Sequence, residues 1–92
     1  MSTNDRANVL AILDAMTRIE GYTKGINTAK EFHETLVVFD ATLMNFIVIG
    51  ERVDRLSADL KDRNAALDWQ KIKGFRNLVA HDYFGIDAEE VW

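Results

Sequence analysis

Leu36-Val37-Val38-Phe39-Asp40-Ala41-Thr42-Leu43-Met44-Asn45-Phe46-Ile47-Val48-Ile49 is the stretch that decides the fold. Continued to Val53, it places Leu36, Phe39, Leu43, Phe46, Ile47, Gly50 and Val53 on one helical stripe. Val37, Val38, Met44, Val48 and Ile49 point in other directions around the same helix. The run is too short for a membrane span, and Asp40 and Asn45 interrupt it. It predicts a long central helix, roughly 34–60, that must be covered on more than one side. Three other short helices hardly provide that cover within one protomer, so self-association as a homodimer is expected.

Composition agrees. Zero prolines and five glycines beside 48% hydrophobic residues leave few obligatory breaks. The expected fold is all-α: a small antiparallel bundle of four to five helices forming one domain over residues 1–92. A chain of 92 residues buries a modest share of its surface, which again favours oligomerisation. With no cysteine there is no disulfide framework and no thiolate metal site. No cationic segment followed by an apolar run opens the chain, so a cytoplasmic protein without a membrane segment is expected.

Outward from the central run, Val9, Ile12, Leu13, Met16 and Ile19 predict a first helix over about 5–22. Gly21, Gly25 and Asn27 mark a turn, and Thr28 with Glu31 has the spacing of a capping box for a new helical start. The polar stretch 59–68 reads as a helix end and connecting loop, and Asp68 as the cap of a helix whose stripe is Trp69, Ile72, Phe75 and Val79. Gly85 is expected to end that helix and Asp87 to start a last one, which reaches Trp92 after barely a turn. Met16 and Met44 read as core filler, and Trp69 and Trp92 as core or interface anchors. His33, with no second histidine at ligand spacing, reads as a solvated side chain rather than a metal ligand.

The formal charge of −4 argues against a broad groove for nucleic acid. The balance is uneven: residues 51–81 hold seven basic and five acidic side chains, whereas 82–92 hold four acids and no base. Any polyanion site is therefore local. Arg76-Asn77-Leu78-Val79-Ala80-His81-Asp82-Tyr83 concentrates the reactive groups. Arginine holds phosphate bidentately, histidine moves a proton near neutral pH, and a phenol accepts modification. Asn77 and His81 share a helical face, but Arg76 lies about 140° around the axis from His81. Either the terminal turn distorts near His81, or a second copy of the helix completes the site across a symmetric interface. Without that chemistry, Arg76 is an ion-pair donor to Asp82 or Glu51 and His81 a neutral residue at a helix end. For Glu51 the favoured partner is Arg55, one turn on.

The wider string Ile72-Lys73-Gly74-Phe75-Arg76-Asn77-Leu78-Val79-Ala80-His81-Asp82-Tyr83-Phe84-Gly85-Ile86-Asp87 resembles the HepT toxin branch of the HEPN superfamily, marked by Arg-x4-His-x-Tyr at a helix end. Asp40-Ala41, Asn45, Ile49-Gly50-Glu51 and Ile19-Glu20-x-Tyr22-Thr23 resemble it as well. The resemblance implies a metal-free, cofactor-free endoribonuclease acting as a homodimer, with Arg76 and His81 as cleavage residues and Asn77 assisting. Glu51 and Asp82 are candidate supporting residues. It implies an MNT-type nucleotidyltransferase antitoxin as partner, which transfers AMP to Tyr83. The chain departs from the pattern in lacking prolines over 64–68, in having Arg52 where a small residue is usual, and in a last helix expected to be truncated.

The leading expectation is thus the toxin of a HEPN/MNT toxin-antitoxin pair. It would cleave RNA such as tRNA to 2′,3′-cyclic phosphate and 5′-hydroxyl ends. The alternative is a catalytically silent HEPN-like dimer that docks a nucleotidyltransferase.

Overall fold

The computed structural model describes residues 2–81 and 88–92. Among them every regular element is helical: α1 (Thr3–Thr23), α2 (Ala29–Glu34), α3 (Leu36–Asp54), α4 (Ala58–Arg63), α5 (Trp69–His81) and α6 (Ala88–Val91). The all-α expectation holds, with three long helices and three short ones.

Side-chain caps start these helices where the sequence offers them. Ser2 Oγ accepts from the Asp5 N–H at 3.1 Å and Thr28 Oγ1 from the Glu31 N–H at 3.1 Å. Asp68 Oδ1 accepts from the Lys71 N–H at 3.0 Å. Each satisfies a donor that the first turn leaves without a helical partner. Glu31 reaches one residue further back than a reciprocal box requires, accepting from the Asn27 N–H at 3.2 Å.

The long central helix is interrupted at both ends. Thr35 sits at φ −90°, ψ 80°, and both its N–H (3.0 Å) and its hydroxyl (2.8 Å) bond the Glu31 carbonyl, which closes α2. At the other end the Arg55 and Leu56 N–H groups fold back onto Arg52 and Val53, each at 3.1 Å. Ser57 is extended at φ −65°, ψ 154° and caps α4 through Leu60. Segment 58–63, expected to be helix end and loop, is therefore a separate helix.

This second break is held from a distance. Asp5, only 4% exposed, accepts from the Ser57 N–H at 2.9 Å and the Ser57 hydroxyl at 2.6 Å. These bonds hold its carboxyl below the ordinary carboxylate range. Nearby, Arg52 donates to Asn8 Oδ1 at 3.4 Å. Arg52 thus joins α1 to α3, and the paired residue numbers show the two helices running antiparallel.

α3 packs against α1 on one side and α5 on the other, while α2 lies against α3 and α6. The core is Phe32, Phe39, Leu43, Val79 and Ala88, flanked by Ile26, Val38, Ile47, Phe75 and Val91. Phe32 meets Phe39 at 5.2 Å and Trp92 at 5.5 Å, and Phe46 meets Phe75 edge-on at 5.1 Å. The central stripe is corrected at its start, because Leu36 remains 65% exposed. Met16 and Met44 are exposed rather than core filler. Val37 is 81% exposed, so the outer face of α3 is uncovered within the chain.

Candidate active site

Arg76 leaves α5 toward α3, and glycine makes room for it. A Cβ built at Gly50 would fall inside van der Waals contact with Cβ and Cγ of Arg76, so only a residue without a side chain lets the helices approach here. The Arg76 side chain is 18% exposed and its guanidinium is held by two carboxylates: Nη1 lies 3.3 Å from Glu51 Oε1 and Nη2 donates to Asp54 Oδ2 at 2.9 Å. Its Nε is buried without a hydrogen-bond partner. Such a group is oriented by its surroundings rather than free to sweep solvent.

Glu51 therefore serves the arginine, and the expected pair with Arg55 is replaced by one across helices. Asp54 was not singled out by the sequence. The signal was there in part: Glu51 and Asp54 are three residues apart, on one face of the last turn of α3. What the spacing omits is the inter-helix contact at Gly50 that brings Arg76 to them.

His81 is the last residue of α5 and is exposed. The helix is unbroken from Arg76 to His81, so the two diverge by about 140° around the axis. Val79, fully buried, marks the inward side, and Asn77, half-buried, shares the face of His81. Gly74 lies on that same outer face, and among the described residues nothing is within 4 Å of where its Cβ would stand. Asp82 and Tyr83 lie outside the described residues. Among those described, no group of three or more His, Asp or Glu side chains is placed to hold a metal ion. No described helix is long and apolar enough to cross a membrane.

Comparison with known proteins decides the family. Residues 12–92 match the family described as "Ribonuclease HepT-like". The chain belongs to the HepT-like ribonuclease family. Among its relatives in Methanocaldococcus jannaschii, "Putative RNase MJ1380" is 29% identical over the whole chain and 84% of its own length. "Putative RNase MJ1216" from the same organism is 29% identical over 95% of the chain and 71% of its own length. "Putative RNase TTE0752" of Caldanaerobacter subterraneus subsp. tengcongensis is 29% identical over 75% of the chain, with 61% of its own length covered. No solved structure matches the chain. In this HepT-like chain α5 carries both the oriented Arg76 and the exposed His81.

Proposed function

We propose that this HepT-like chain is a metal-independent endoribonuclease whose site is shared by two copies of α5, and that it is the toxin of a HEPN/MNT pair. The observation that carries the reading is the divergence of Arg76 and His81 on an undistorted helix. One faces its own bundle and the other faces away, which supports a site completed between two chains. Gly74 supports this, since glycine in a helix costs about 1 kcal/mol relative to alanine and no contact among the described residues requires it. A second helix approaching closely would.

In the shared site His81 of one protomer takes the proton from a ribose 2′-hydroxyl. The freed oxygen attacks the adjacent phosphorus while Arg76 of the other protomer stabilises the charge on the equatorial oxygens. The P–O5′ bond breaks, and the proton passes to the departing 5′-oxygen. The ends are a 2′,3′-cyclic phosphate and a 5′-hydroxyl. Asn77, on the face of His81, would assist by holding the substrate or the ring. Tyr83, two residues further, is proposed as the acceptor of AMP from the nucleotidyltransferase, which would set a bulky anion beside the catalytic pair.

Incubation of purified protein with total tRNA in EDTA tests the reading. Wild type is expected to cut and leave 5′-hydroxyl ends, and Arg76→Ala and His81→Ala to lose at least about a hundredfold in rate. Cleavage unaffected by either substitution, or 5′-phosphate ends, would overturn it. Silence of the wild type while it still binds a nucleotidyltransferase would favour the docking module. Intact mass after expression with the partner, compared with Tyr83→Phe, tests the modification.

A further inference from the structure

Arg76 has one carboxylate more than an arginine waiting for a phosphate requires. Glu51 and Asp54 together bring two negative charges to one guanidinium, so an incoming phosphate meets a net negative cluster. The Asp54 contact, at 2.9 Å, is the shorter of the two and occupies Nη2. Asp54 is also the last residue of α3, where the helix dipole disfavours a carboxylate. Its own helix supplies no reason for an acid there, and Arg76 does. If Arg76 turned to a phosphate, Asp54 would be left without its counter-charge at the negative end of α3.

We propose that Asp54 is a competing carboxylate: it holds Arg76 in a closed, substrate-free arrangement, and an RNA phosphate has to displace it. The proposal rests on the reading of Arg76 as the phosphate-binding residue and concerns access to it. Glu51, 48% exposed and at 3.3 Å, remains to orient the guanidinium after Asp54 gives way. Asp54 acts on binding through Arg76 and takes no part in the transfer of the proton.

The experiment compares wild type, Asp54→Asn and Asp54→Glu in tRNA cleavage and in a titration with inorganic phosphate followed at the Arg76 Nε–H resonance. Asp54→Asn is expected to lower KM, and to strengthen phosphate binding, by about three- to tenfold, the effect of one nearby partly screened charge. Its kcat is expected to stay within about twofold, and Asp54→Glu, which keeps the charge, to stay close to wild type. A fall in kcat with unchanged KM would make Asp54 a support for Arg76 and overturn the proposal. Phosphate affinity that does not rise, or that rises equally for Asp54→Glu, would overturn it too. If the Asn chain does not fold, Asp54→Ser carries the same expectation. If even the wild type cuts no RNA, the nuclease reading fails while the phosphate titration still decides the role of Asp54.

Discussion

At the scale of single residues, the site depends on a position with no side chain. Gly50 lets Cβ and Cγ of Arg76 lie against the backbone of α3, and these atoms near the α5 backbone have little freedom to move aside. In Gly50→Ala the new methyl gains about 1 kcal/mol of helix propensity but imposes overpacking of about 1–3 kcal/mol. We expect a net loss of about 1–2 kcal/mol in urea unfolding, together with a drop in RNA cleavage of at least about tenfold as the guanidinium is pushed out of the position in which Glu51 orients it. A variant as stable and as active as wild type would show that the helices do not need the glycine. The sequence singles out Arg76 by its spacing to His81 and names Glu51 among its possible partners, and the structure pairs the two. Gly50 read as part of an apolar stripe and of the family-like run Ile49-Gly50-Glu51, not as a packing contact, because that contact is defined by atoms of another helix.

Between elements, Asp5 ties the start of α1 to the turn between α3 and α4. Its carboxyl is held below the ordinary range by the Ser57 hydroxyl first and the Ser57 N–H second. A carboxylate depressed in the folded chain adds stability that is complete above its unfolded pKa, near 3.9, and is lost as pH falls through its folded value. Wild type is therefore expected to exceed Asp5→Asn in unfolding free energy at neutral pH, with the gap narrowing below about pH 4. Urea melts across that range measure it, and a gap independent of pH would mean that the charge of Asp5 contributes nothing. The same contact explains what the sequence could and could not reveal about elements. Apolar periodicity predicted α1, α3 and α5, and local capping residues predicted the starts at Thr28 and Asp68. The break at Ser57 escaped, because an uninterrupted helical pattern was overridden by hydrogen bonds from a residue 52 positions away.

At the scale of the whole molecule, one chain is an incomplete bundle. Its radius of gyration is 14.1 Å, against about 12 Å for a compact domain of this length, and it extends 40 × 23 × 21 Å. Val37 and Met44 remain exposed along α3, and Leu78 is 40% exposed beside His81 on α5. These apolar groups would gain from burial in a symmetric pair, and the proposed shared site calls for one. Helix geometry made the divergence of Arg76 and His81 legible before any packing was known, and the apolar excess around α3 already pointed to a side left without cover. Which residues lie on that side, Val37 and Met44 among them, depends on where α1 and α5 pack. A mixing experiment tests the shared site directly. Arg76→Ala and His81→Ala chains, each inactive alone, are unfolded together in equal amounts and refolded. If pairing is random, half the dimers combine the two variants, and each such dimer has one site with an intact Arg76 from one chain and an intact His81 from the other. Recovery of about a quarter of wild-type activity is expected. A site contained within one chain predicts no recovery, because every chain in the mixture lacks one of the two groups.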